Sequence, residues 1–298
     1  MKENRLVWAA YLAVCVVWGS TYLAIRIGVQ ELPPLLFAGI RFVAAGAVIL
    51  LYGILRGLPF PSSPRTVGRY SLVGLFLLLG GNGLVVVAEQ WVHSGIASLM
   101  VATVPLFMAL IEFLFVRKEQ LAWTGWLGLV VGFAGVGILV LADDLTHGAD
   151  PLGLLLLAGA CLSWAAGSVY SKTLTHSGSV VIQIGIQMLA GGLALCLLGV
   201  LFGEAARLSF TATGLWAMAY LVVFGSLIGY SAYIYVLQKW PAAKAGTYAY
   251  VNPVIAVLLG GLILKEPLTL SMLAATAVIL AGVLMVQTSR VRERARPE

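Results

Sequence analysis

From Leu127 to Leu141 the chain carries no side chain that can form a hydrogen bond, and the run is apolar on every face of any helix or strand it could adopt. Stretches of about 20 residues with similar character, the length a helix needs to cross a bilayer, follow one another along nearly all of the 298 residues. A transmembrane barrel is excluded, because its strands alternate polar and apolar side chains. A soluble globular fold is excluded as well. With 61% hydrophobic and 10% charged residues there are too few charges to cover a water-facing surface. The expected class is an all-α integral membrane protein.

Ten spans fit end to end, at 8–27, 34–55, 70–92, 95–116, 123–142, 151–173, 179–201, 212–237, 243–264 and 268–288. Pro33 and Pro34 open the second, Asp150-Pro151 caps the sixth, and Pro241 and Pro267 precede or open the last two. With the N-terminus inside, fourteen of the eighteen Lys and Arg fall on the inner face, leaving Arg26, Arg207 and Lys265 outside and Arg41 within a span. The acidic connection with Asp143, Asp144 and Asp150 then faces out, so both termini are expected to be cytoplasmic. The first span reads as a retained signal anchor, since no small-x-small cleavage site precedes a polar domain. Net charge +6 is scattered over connections, apart from a basic tail at 289–298 suited to anionic lipid, and no nucleic-acid partner is expected. Cys15, Cys161 and Cys196 all sit in apolar segments without paired spacing, so no disulfide, metal or cofactor is indicated.

The chain repeats itself. A shift of 146 residues lays Cys15 on Cys161, Trp18 on Trp164, Arg26 on Lys172 and Arg41 on Gln187. With small insertions Trp91 meets Trp240, Pro105 meets Pro253, and Lys118-Glu119 meets Lys265-Glu266. The expected units are a first repeat over 8–142 and a second over 151–288. Because each holds an odd number of spans, the second is inverted in the membrane, as in carriers that exchange inward-open and outward-open states about one central site.

Trp18-Gly19-Ser20-Thr21-Tyr22, Val104-Pro105, and Thr247 to Pro253 with Lys265-Glu266-Pro267 downstream resemble the EamA repeats of the drug/metabolite transporter superfamily. Gly81-Asn82-Gly83, Ala88-Glu89 and Ser94-Gly95-Ile96-Ala97 make the chain look like the YedA-type exporters of the bacterial inner membrane. The resemblance covers nearly the whole chain. It implies ten helices as two inverted five-helix repeats around a central cavity, and export of small metabolites, amino acids or amphipathic drugs.

A midplane site needs polar and aromatic side chains from several helices at one depth. Trp18 and Tyr22 on the first span, and Trp164 and Ser168 on the sixth, repeat one pattern of helical spacing. Both tryptophans are about ten residues from either membrane face, away from the usual interfacial belt. Spacing alone leaves a cavity wall and a helix contact equally open for them. Asn82, Tyr230, Tyr233, Tyr248 and Asn252 complete the candidate substrate-binding set. For the two amides, an interhelical hydrogen bond is the competing role. Pro105 and Pro253 each free a carbonyl one turn earlier and permit a kink, serving gating or static packing.

Arg41 and Glu89 are charges within spans, which by default signals function or pairing. A rise of about 1.5 Å per residue puts both within roughly 10 Å of the outer face, and both are absent together from the second repeat, where Gln187 and Gln238 stand. The leading expectation is a fixed ion pair. The sharper alternative is proton coupling through Glu89; retained uphill transport with unchanged pH dependence in Glu89→Gln would eliminate it.

A membrane enzyme would need a reactive constellation, yet His93, His147 and His176 have no HExxH spacing and neither a GxSxG elbow nor a P-loop is present. A scaffold has no need of exchangeable halves, and saturable, substrate-competed flux separates a carrier from a channel. The expected function is secondary active export of a small solute by a chain that works as a monomer in the lipid bilayer, with dimerisation compatible through faces such as Gly125-x-x-Gly128-x-x-x-Gly132. The alternative is an exchanger or importer of the same solutes.

Overall fold

This computed structural model describes residues 2–116, 119–141, 150–175, 177–240, 242–265, 269–289 and 291–293. Of the features singled out above, Lys118, Asp143, Asp144, His147, His176, Pro241, Glu266, Pro267 and, in the basic tail, Arg290 and residues 294–298 lie outside the described residues.

The helices in chain order are α1 (Lys2–Glu31), α2 (Pro34–Leu55), α3 (Pro64–Ala88), α4 (Ser94–Phe115) and α5 (Trp123–Leu141), then α6 (Pro151–Thr173), α7 (Val180–Leu201), α8 (Ala212–Lys239), α9 (Tyr248–Leu259) and α10 (Leu270–Thr288). Among the described residues, seven of them, α1 to α4 and α6 to α8, are long and apolar enough to cross a membrane. In α5 and α10 the apolar stretches are the shorter Trp123–Gly135 and Leu270–Gly282. Two three-residue strands, β1 (Glu119–Leu121) and β2 (Val291–Glu293), pair antiparallel and join the entry of α5 to the exit of α10.

Some boundaries differ from expectation for local reasons. α3 starts at Pro64 rather than 70, because the Ser63 hydroxyl accepts the Thr66 N–H at 3.2 Å and proline fits the first turn. Arg65 and Arg69 are therefore helical rather than in the connection. α4 breaks at Ala102–Thr103, immediately before the turn that holds Pro105, whereas α9 runs through Pro253 without interruption. The two prolines thus occupy matching sequence positions in differently shaped helices.

Glycine carries the close packing, as it must where lipid supplies no hydrophobic drive between helices. The 146-residue shift also lays Gly39, Gly46 and Gly53 of α2 on Gly185, Gly192 and Gly199 of α7. These two rows face each other antiparallel. A Cβ on Gly39 would stand 2.6 Å from Cys196 Sγ, one on Gly46 3.0 Å from the Leu189 nitrogen, and one on Gly192 2.7 Å from the Val43 nitrogen. α5 and α10 form a second antiparallel pair, with Gly135 against Ile279 and Gly282 against the backbone of Gly128 and Gly132. Two residues of the glycine face left open between internal and intermolecular use, Gly128 and Gly132, are therefore occupied within the chain.

Helices α3 and α8 share a further feature. Each carries a π-helical stretch at mid-length, Leu75–Gly83 and Leu221–Tyr230, at equivalent places in the two repeats. π-turns leave carbonyls without their ordinary partners, and side chains from neighbouring helices supply them. The Ser163 hydroxyl donates to the Phe76 carbonyl at 2.8 Å, and the Trp18 indole donates to the Gly225 carbonyl at 3.0 Å.

Candidate functional site

Where α1, α2, α3, α4, α6, α8 and α9 converge, there is a cavity of about 60 Å³. α1 contributes Trp18, Thr21, Tyr22 and Ile25, successive members of one helical face. α6 contributes Ala160, Cys161 and Trp164, while α9 contributes Tyr248 and Asn252. The π-stretches contribute Asn82 and Tyr230 to the same space.

The two repeat-related tryptophans meet there edge to face, with ring centroids 5.4 Å apart. Gly81 lies against Trp164 and Gly229 against Trp18, so each indole is seated on a glycine of the opposite repeat's π-stretch. Tyr248 packs on Trp18 at 4.9 Å, and Tyr230 approaches Trp164 at 6.5 Å. Edge-to-face contacts of this kind hold the rings in place by the attraction of positive edge to negative face.

Of the expected set, Ser168 and Tyr233 do not line the cavity. They form a layer behind it: the Tyr233 hydroxyl is 2.7 Å from Ser168 Oγ and receives the Trp164 indole N–H at 3.2 Å, while its ring touches both tryptophans and Tyr248. Asn252 is buried, and its amide nitrogen, in the orientation that satisfies its neighbours, donates to the Cys15 and Tyr248 carbonyls at 3.1 Å. Pro105 and Pro253 are also outside the lining. Thr21, Ile25, Phe42, Val104 and Cys161 line the cavity but were not among the expected site residues. Thr21 and Ile25 could have been added by extending the Trp18 face in both three- and four-residue steps.

The expected Arg41–Glu89 ion pair is corrected by the contacts of Arg41. Its Nε donates to Ser226 Oγ at 3.1 Å, Nη2 reaches Asn82 Oδ1 at 3.4 Å, and the guanidinium lies 4.2 Å from the Phe42 ring centre. Arg41 therefore points into the cavity, toward α3 and α8. Glu89 is fully buried at the C-terminal end of α3, where Arg26 of α1 donates to its peptide carbonyl. Comparable depth is necessary for pairing but says nothing about direction around the helix.

Both halves of the chain match one family profile, described as the EamA-like transporter family, over residues 6–141 and again over 151–288. The chain belongs to the EamA family. Its relatives include the uncharacterized inner membrane transporter YedA of Escherichia coli (strain K12), 40% identical over 97% of this chain and 93% of YedA. The uncharacterized transporter YvbV of Bacillus subtilis (strain 168) is 25% identical over 99% of this chain and 95% of its own. A solved crystal structure at 22% identity superposes with a TM-score of 0.70, covering 94% of this chain and 95% of that one, which supports the fold alone. The protein is a membrane transporter built from two EamA repeats.

Proposed function

We propose that this EamA protein is a secondary active exporter of small metabolites, in particular amino acids or amphipathic drug-like solutes, working by alternating access about the aromatic cavity. One observation carries the reading: Trp18 and Trp164, equivalent under the internal repeat, meet in a cavity whose walls come from both halves. Rocking of two inverted halves would expose such a site to each face in turn. We further place the protein in the bacterial inner membrane with both termini cytoplasmic, as a functional monomer. The β1–β2 pairing agrees with this topology, since it needs the entry of α5 and the exit of α10 on one face.

The test is uptake of radiolabelled amino acids and lipophilic cations into proteoliposomes, with and without an imposed proton gradient, comparing wild type with Trp18→Ala and Trp164→Ala. Saturable flux lost in both variants supports the reading, and flux indifferent to them moves the site elsewhere. Gradient-driven accumulation in inside-out vesicles marks export. Solute-for-solute exchange without a gradient marks an exchanger, and accumulation in right-side-out vesicles marks an importer.

A further inference from the structure

Among the described residues, Arg41 is the one charged side chain that lines the cavity. The residue is 3% exposed. Two of its nitrogens are held by Ser226 and Asn82, both neutral, while Nη1 is buried without a hydrogen-bond partner. Among the described residues no acidic group acts on it electrostatically. A guanidinium in a low-dielectric interior is costly unless an anion meets it, and intramembrane charges that face a cavity mark solute paths. The repeat sharpens the point. At the equivalent place Gln187 is neutral and accepts the Tyr230 hydroxyl at 2.9 Å, so the fold itself does not require a cation there.

We infer that Arg41 receives the carboxylate of the transported solute through Nη1, and that the solute class is small monocarboxylates with an aromatic or apolar body. The inference rests on the transporter reading and narrows it, since lipophilic cations fall out of the candidate set. Ser226 and Asn82 act as positioning residues that fix the guanidinium plane and leave one edge free, the geometry that suits a carboxylate. The indole and phenol rings around it fit an aromatic body, and their faces tolerate an ammonium group when the solute is an amino acid.

Three probes with one body separate the head groups: phenylacetate, phenylacetamide and phenethylammonium. Each is titrated into purified full-length protein in detergent, with affinity read from Trp fluorescence and from the shift in melting temperature, for wild type, Arg41→Gln and Arg41→Lys. The expected result is phenylacetate at least tenfold tighter than phenylacetamide, phenethylammonium weakest, that preference lost in Arg41→Gln and partly kept in Arg41→Lys. If Arg41→Gln fails to fold, the wild-type ranking and a several-fold loss in Arg41→Lys decide. Equal or tighter binding of the cation, an unchanged preference in the folded Gln variant, or no binding of any probe overturns the inference. Proteoliposome flux keeps the two claims apart. Saturable flux of a cation with none of a carboxylate leaves a transporter and sinks the Arg41 assignment; carboxylate binding through Arg41 without flux does the reverse.

Discussion

The two repeats are most alike where helices touch and where their tryptophans meet, and least alike in their buried polar side chains. Gly39, Gly46 and Gly53 are matched by Gly185, Gly192 and Gly199, and Trp18 seated on Gly229 is matched by Trp164 seated on Gly81. Arg26, donating to the peptide carbonyl at the end of α3, is matched by Lys172, which donates to the Leu237 and Trp240 carbonyls at the end of α8, each at 3.1 Å. Cations at helix C-termini satisfy carbonyls that have no partner within the helix and oppose the negative end of its dipole. The buried polar pairs differ instead. Arg41 with Asn82 stands in one half, and Gln187 with Tyr230 in the other. What is duplicated builds the helix packing and the aromatic walls of the cavity, and what is not duplicated is free to serve a particular solute.

The comparison can be broken most severely at the glycine rows. Gly192→Leu would drive a side chain into the Val43 nitrogen and the Gly39 carbonyl, backbone atoms that cannot move aside, at a cost of about 3 kcal/mol or more. Gly46→Leu, the equivalent change in the other repeat, meets the Leu189 nitrogen and is expected to cost a similar amount. Thermal unfolding in detergent checks both, and a large difference between them would contradict the symmetric role. Next in size, Trp18→Ala and Trp164→Ala should each cost about 3 kcal/mol of stability and remove saturable flux. Unequal loss of flux would say that one indole alone touches the solute.

Arg41→Gln makes the first half resemble the second. Since it removes a buried charge that has no counter-ion among the described residues, the melting temperature of the solute-free protein is expected to stay level or rise while carboxylate recognition falls. A marked drop in melting temperature would return Arg41 to a structural role. Arg26→Ala and Lys172→Ala should each cost about 1 kcal/mol and act on opposite faces of the protein. Labelling of outer and inner positions with an impermeant maleimide should then shift in opposite senses in the two variants. An effect of the same small size is expected from Tyr230→Phe, which leaves the Gln187 amide oxygen without its donor and costs about 1 kcal/mol in thermal unfolding.

Much of this was legible in the residues themselves. The apolar runs announced helices, and the repeat picked out Trp18 and Trp164 as a pair before any coordinates placed them together. Six further expected residues, Tyr22, Asn82, Tyr230, Tyr248, Asn252 and Arg41, also line the cavity. The glycine rows were legible too, because the same 146-residue shift exposes them, although they were not singled out. Other features lie beyond residue patterns. The π-stretches depend on a change of helical pitch that rotates Asn82 and Tyr230 relative to the ends of their helices, and apolar composition carries no trace of it. Ser168 and Tyr233 share the periodicity of the lining residues yet stand one layer back, since period identifies a face but not how many side chains deep the neighbour begins. Arg41 and Glu89 failed to pair for a related reason, because axial rise gives depth and leaves azimuth open.

The central claim is that both repeats close around one site that opens to one face at a time. In a background lacking Cys15, Cys161 and Cys196, single cysteines at Ile25, on the cavity wall, and at Thr247, whose hydroxyl lies 2.6 Å from that of Tyr11, report the two approaches to the site. Their rates of reaction with an impermeant maleimide would be measured in inside-out and right-side-out vesicles, with and without phenylacetate. The account predicts that the solute changes the two rates in opposite directions. Rates that rise together would describe a channel, and rates that ignore the solute would leave the cavity a packing feature of the helix bundle.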